Sequence, residues 1–303
     1  MAPLPTKPTS FGASYLLDQY PAILVLHILA LHGTGRTPTM AQQPIRFDDG
    51  EAYERGMGIW SRLAGQVFLD WLACPPGLRW IDVGCGSGAV TELLVQRCAP
   101  AETQGIDPSP AQLAFARMRP GAQGATFLPG DAMALPFDAD RFDAAVMALV
   151  IFFVPDPAKG VAEMVRVVRP GGTVAAYAWD ILGGGFPFDP IQAELRDMGL
   201  TPPLPPSVGA SRIAAMRDLW AGAGLEAVET REISVRRSFA NFEEFWSTST
   251  TSGSIRPTLA GMAPGDVEKL QAQVRARLSA DATGPVTWRA RANAIKGRVP
   301  KAP

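Results

Sequence analysis

Histidine is nearly missing from this chain of 303 residues: it has 2, His27 and His32, both ahead of the region where a catalytic fold can be read. That excludes a histidine-built zinc or iron site and a histidine base within that region, leaving carboxylate, tyrosine or water to remove any proton. The 3 cysteines, Cys74, Cys85 and Cys98, are odd in number and have no metal-ligand spacing. They read as reduced thiols, so the expected location is cytoplasmic and no metal site is expected. Lysine is scarce, and the formal net charge is -1 with no long run of like charges, so nucleic acid is not an expected partner. Long apolar runs are missing too. Pro21 to Leu31 is apolar but falls well short of the about 20 residues a membrane helix needs, and it lacks the basic start and small-residue cleavage site of a signal peptide.

Hydrophobic residues make up 47% of the chain and charged residues 19%, a balance that suits one large core. Residues 1–45 stand apart. Pro3, Pro5 and Pro8 suggest a loose start, and Gly33 to Pro38 reads as a linker. This segment is expected to be an extension lying on the domain, or to precede an alternative first residue at Met40.

The most informative stretch is Leu78 to Gly88. The apolar run Trp80-Ile81-Asp82-Val83 reads as a buried strand, Gly84, Gly86 and Gly88 as a tight loop, and Ala89 to Gln96 as a helix. Glycines let the backbone turn sharply and lie against a ligand at a helix N-terminus. In the dinucleotide fingerprint the last glycine comes three residues after the second. Here it comes two after, and Asp82 stands at the strand end, a poor neighbour for a pyrophosphate and a good one for an ammonium or sulfonium charge. The pattern resembles motif I of the class I S-adenosylmethionine-dependent methyltransferases.

Three later features recur in that family's order. Asp107 ends the strand Thr103 to Asp107, where an acid can accept from both ribose hydroxyls. Gly130-Asp131-Ala132 follows the strand Ala125 to Leu128; the resemblance implies that Asp131 accepts from the adenine amino group while the Ala132 amide faces the ring. Arg169-Pro170-Gly171-Gly172 is expected to stop a helix before the strand Thr173 to Trp179. The likeness covers roughly residues 47 to 180. Within it, Tyr53-Glu-Arg-Gly-Met-Gly-Ile-Trp-Ser-Arg62 looks like the cofactor-covering segment of quinone-biosynthesis-type methyltransferases (methyltransferase type 11). That likeness implies Tyr53 over the sulfonium or acceptor and Arg62 at the cofactor carboxylate.

The expected fold is therefore α/β, a doubly wound, seven-stranded, mostly parallel sheet with helices on both faces and an antiparallel last strand, Val286 to Ile295. The domain is expected over residues 46–300, with 181–210 a substrate-side insertion and 247–280 a loop and helix before the last strand. Asp48 to Ala73 reads as helix, with Trp60, Leu63, Val67, Phe68 and Trp71 on one apolar face. Ser247 to Ser254 reads as a loop. The cofactor implied is S-adenosyl-L-methionine, held by Asp82, Gly84, Cys85, Gly86, Gly88, Asp107, Pro108, Asp131, Ala132 and Leu149 together with Tyr53 and Arg62. Phe152, Phe153, Trp179, Phe186 and Phe188 are expected around a small, partly hydrophobic methyl acceptor. Asp180, Asp189 and Tyr53 are the candidate bases. An NAD-dependent oxidoreductase and a non-catalytic S-adenosylmethionine-binding protein are the alternatives. The sequence sets neither the acceptor atom nor the oligomeric state.

Overall fold

The computed structural model describes residues 54–251, 253, 255–278 and 284–301. The extension 1–45, with Met40 and both histidines, and the candidate Tyr53 lie outside the described residues. The described chain opens with a π-helical turn, Glu54–Gly58, that runs into helix α1, Ile59–Leu72. Of the apolar face read for α1, Trp60 and Phe68 are fully buried, and the Phe68 ring meets that of Tyr177 at 4.7 Å.

Strand β1 (Arg79–Val83), helix α2 (Ala89–Arg97), strand β2 (Glu102–Asp107), helix α3 (Pro110–Met118) and strand β3 (Ala125–Pro129) form the first βαβαβ half. Ser109 caps α3: its hydroxyl accepts from the Gln112 amide at 3.4 Å, and Pro110 occupies the first turn. The second half contains strand β4 (Phe142–Ala148), helix α4 (Pro157–Val167), strand β5 (Val168–Trp179), helix α5 (Asp189–Asp197), helix α6 (Ile213–Gly222) and strand β6 (Glu226–Phe239). Helices α7 (Phe242–Thr250), α8 (Arg256–Ala260) and α9 (Pro264–Arg277) precede strand β7 (Val286–Arg298).

The seven strands are ordered β3-β2-β1-β4-β5-β7-β6. β7 runs antiparallel to both β5 and β6, and the other pairs are parallel, as the sequence reading expects. The order reverses between β1 and β4, so a crevice opens there beyond the carboxyl ends of the strands, where open α/β sheets take ligands. β4 shows why this sheet is central: Ala144, Ala145, Val146 and Met147 are fully buried.

Two expectations need correction. Ser247 to Thr250 is not loop but the end of α7. The Asn241 side chain accepts from the Glu244 amide at 2.9 Å to start this helix, and the Thr250 hydroxyl donates to the Trp246 carbonyl at 2.7 Å. The hydroxyl's preference for turns is overridden here by burial of Phe242 and Phe245 on the core face of the helix. The Arg169 to Gly172 turn lies inside β5 rather than before it. Val168 already pairs with Phe142, and the register shifts before Thr173 pairs with Ala144. Gly171, at φ +76°, provides the backbone freedom this irregularity requires.

Candidate functional site

β1 delivers the chain to the crevice at Val83, and the loop that follows turns through left-handed backbone. At Gly84 (φ +75°) a Cβ would stand 2.5 Å from the Val150 side chain, so only glycine lets the loop pack on the exit of β4. At Gly86 (φ +51°) the nearest atom to a Cβ would be the Gln112 Oε1 at 4.0 Å, and the backbone faces open space. That space is a cavity of about 200 Å³. Gly84, Cys85, Gly86 and Asp82 line it on one side, Asp107 and Pro108 on another, and Ala148, Leu149, Val150 and Phe153 at the β4 exit. Gly88 does not line it; it packs against Ala116 of α3. Cys85 lines the cavity while its sulfur lies near Gly105 of β2, and burial pushes the thiol pKa well up, which suits packing and not nucleophilic attack.

Asp82 is wholly buried. Its Oδ2 accepts the Thr91 hydroxyl at 2.7 Å, whereas Oδ1 has no hydrogen-bond partner among the described residues. Burial pushes its pKa up to about 7; the Thr91 bond opposes this and the Asp107 charge adds to it. An orphan carboxylate oxygen beside a cavity is costly unless a cation or donor completes it.

Asp107 is held by backbone at the end of β2. The Gly86 amide donates to its Oδ2 at 2.9 Å and the Ser109 amide to its Oδ1 at 2.8 Å. Burial raises its pKa, and these two amide bonds oppose the shift. A carboxylate has about four lone-pair sites, so each oxygen keeps capacity toward the cavity.

The remaining sequence candidates divide. Leu149 sits at φ +63°, unusual for a branched side chain, with its amide donating to the Tyr177 carbonyl at 2.7 Å. Phe153 lines the cavity, but Phe152 turns inward: it is 3% exposed and belongs to the core, packing edge-on to Phe153 at 4.8 Å. Asp131 is exposed and closes its own turn by accepting from the Met133 amide at 2.8 Å. With Ala132 it follows Gly130, whose amide donates to the Asp107 carbonyl at 3.3 Å, which puts the pair beyond the cavity's lining at the end of β3.

Arg62 does not line the cavity; its guanidinium pairs with Glu92 of α2. Asp180 is not a free base. Arg291 of β7 grips its Oδ2 at 2.6 Å, and the Gly183 amide donates to Oδ1 at 3.2 Å. Asp189 pairs with Arg196 at 3.1 Å. Trp179, Phe186 and Phe188 are buried outside the cavity's lining. The two phenylalanine rings meet edge-on at 5.3 Å, and Phe188 packs near Gly56 of the leading turn.

The sequence reading missed Thr91, Ser61 and Ser87. Thr91 carried a usable signal: a threonine in the first turn of α2 can reach back to the strand that precedes the loop. Ser61 lines the cavity while its hydroxyl donates to the Met57 carbonyl at 3.0 Å, and its own carbonyl accepts the Tyr177 hydroxyl at 3.1 Å. That link spans 116 residues, and no local pattern announces it.

Comparison with known proteins agrees with this geometry. The family described as "Methyltransferase domain" matches residues 81–176, the span from β1 to β5. The chain is 44% identical over 95 residues to the chloroplastic 2-methyl-6-phytyl-1,4-hydroquinone methyltransferase 2 of Oryza sativa subsp. japonica, 31% of this chain and 27% of that protein. It thus spans about a quarter of that relative. It is 32% identical over 174 residues to the 2-phytyl-1,4-naphtoquinone methyltransferase of Synechococcus elongatus, 56% of this chain and 70% of that protein. The fold is similar to that of phosphoethanolamine N-methyltransferase 2 of Haemonchus contortus, solved with S-adenosyl-L-methionine. That likeness has a TM-score of 0.51 and 16% identity, and covers 83% of this chain and 57% of the other. Taken with the glycine loop, Asp82 and Asp107 around one cavity at the sheet's reversal point, these matches make the chain a member of the class I S-adenosylmethionine-dependent methyltransferase family.

Proposed function

We propose that this chain binds S-adenosylmethionine in the β1/β4 cavity and transfers its methyl group to a small, partly hydrophobic acceptor. The observation that carries the reading is the buried Asp82 Oδ1, without a partner among the described residues and beside a cavity that a cationic ligand would complete. The residues present fit the group. Asp82 would hold its ammonium end, Asp107 would accept from the ribose hydroxyls, and the Gly86 backbone leaves room for close approach. Asp131 and Ala132 are assigned to the adenine rim, and Leu149 to the cavity wall.

When bound, S-adenosylmethionine supplies a methyl group on a positively charged sulfur, already activated for direct displacement. The protein's task is then orientation, since in-line substitution needs the reacting atoms about 3 to 3.5 Å apart. Leu149, Val150 and Phe153 supply an apolar wall that excludes water and favours an apolar acceptor. With Asp180 and Asp189 both ion-paired, we assign neither as a base. An acceptor that is itself an activated carbon or an acidic hydroxyl needs the least help. A quinol belongs to this class; one relative is named for a hydroquinone and another for a naphtoquinone, and quinols head the acceptor panel.

We assign residues 46–300 to one catalytic domain and 181–210 to its acceptor side. In support, Ser207 is stitched to the β4 exit: its amide donates to the Phe152 carbonyl at 3.0 Å and its hydroxyl to the Val154 carbonyl at 2.8 Å. No helix among the described residues is long and apolar enough to cross a membrane. The free thiols of Cys74, Cys85 and Cys98 fit the cytoplasm as the proposed location. Incubation with methyl-labelled S-adenosylmethionine and a panel of quinols, phenols and amines tests the reading. Label transfer to a quinol is expected; cofactor binding without turnover across the panel would favour a non-catalytic binding protein.

A further inference from the structure

Arg119, the C-cap of α3, is 8% exposed and engages every nitrogen of its guanidinium. Nε donates to the Ser87 carbonyl at 3.0 Å, Nη1 to Glu92 at 3.0 Å, and Nη2 to Glu54 and, at 3.5 Å, to the Ser87 hydroxyl. Ser87 is 1% exposed and lines the cavity. It stands between Gly86 at φ +51° and Gly88 at φ +81°. A peptide flanked by two glycines is a hinge, because neither neighbour restricts its own backbone. The arginine fork takes that freedom away from behind, gripping one residue by both carbonyl and hydroxyl. The two carboxylates and the Arg62–Glu92 pair neutralise the buried charge and fix the fork's plane.

We propose that Arg119 is the positioning residue of the glycine loop, holding Ser87 so that the loop keeps its ligand-ready shape before any ligand arrives. This rests on the reading of the cavity as a cofactor site. It also gives the leading turn a role: Glu54 at its first position joins the same fork, so the turn and the glycine loop are fastened to one group. Lysine at this position would keep the charge, but a single nitrogen cannot address a carbonyl and two carboxylates in a fixed plane. The lost pre-organisation appears as weaker binding, since the ligand must then order the loop itself.

The test is calorimetric titration of the whole chain with S-adenosylhomocysteine, comparing the parent, Arg119→Lys and Val167→Ala, a core truncation in α4. Arg119→Lys is expected to bind about 10- to 100-fold more weakly. Val167→Ala is expected to lower the melting temperature while leaving affinity unchanged, which separates positioning from general stability. Parent-like affinity in Arg119→Lys overturns the proposal. A parent that does not bind at all overturns the cofactor reading instead. Should Arg119→Lys fail to fold, Glu54→Gln, which takes the charged partner from one arm of the fork, decides: weaker binding at an unchanged melting temperature supports the proposal, and parent-like affinity overturns it.

Discussion

Thr91 donates its hydroxyl to one oxygen of Asp82 at 2.7 Å, and this leaves the other oxygen buried with no partner among the described residues. The pair spans the glycine loop from the end of β1 to the first turn of α2, so the loop is drawn over a carboxylate with no counter-ion among the described residues. Asp82→Asn keeps the shape and removes the charge. Its cofactor affinity is expected to fall by about 10-fold or more, because a hydrogen bond to a charged group is worth roughly 1.5–3 kcal/mol. Thermal stability without ligand is expected to hold or rise near pH 8, since a buried charge is removed. A large drop in melting temperature would contradict this.

Affinity should also follow pH. Burial pushes the Asp82 pKa up to about 7, and a cationic ligand binds the ionised form. Cofactor affinity is therefore expected to rise with pH to about 7 and level off above it, with a proton released on binding below that point. Without ligand the sign is opposite. Between about pH 4, the unfolded value, and about 7 the native state holds the extra proton, so stability falls as pH rises through that window. Calorimetry in buffers of different ionisation enthalpy counts the proton; a pH-independent affinity would remove the Asp82 role.

Asp107→Ala takes away the acceptors for the Gly86 and Ser109 amides as well as those assigned to the ribose. Cofactor affinity is expected to fall by about 100-fold or more, with a stability loss of about 1–3 kcal/mol from the orphaned amides. Equal affinity in mutant and parent would sink the ribose assignment.

The adjacent rings give opposite expectations. Phe152→Ala hollows the core and is expected to cost about 3–5 kcal/mol of stability. Phe153→Ala, on the cavity wall, is expected to raise the acceptor KM with little change in cofactor affinity. A reversal between the two in a denaturation and kinetics series would refute the placement.

Asp180→Asn breaks the clasp on Arg291, which ties the start of the insertion to β7. A modest loss of stability is expected, with methyl transfer retaining its pH profile. A lost acidic limb in that profile would restore Asp180 as a base.

Local chemistry explains what was legible in the sequence. The glycine alternation after an apolar strand, and Asp82 and Asp107 at strand ends, are decided by residues within a few positions of one another. Arg62 and Asp180 look like unpaired site charges in the sequence because their ion-pair partners, Glu92 and Arg291, lie 30 and 111 residues away. Phe152 and Phe153 are indistinguishable as neighbours in a sequence. Only the turn after β4 decides which one faces the core. Ser247 to Thr250 looked like loop because hydroxyl residues favour turns, and the tertiary setting of α7 overrode that preference.

The most direct test of the central claim is parallel titration calorimetry of the purified chain with S-adenosylmethionine, S-adenosylhomocysteine and NAD. Binding of the first two at a single site, with NAD silent, is the expected result. Binding of NAD alone would contradict the assignment of the β1/β4 cavity and turn the reading toward an oxidoreductase.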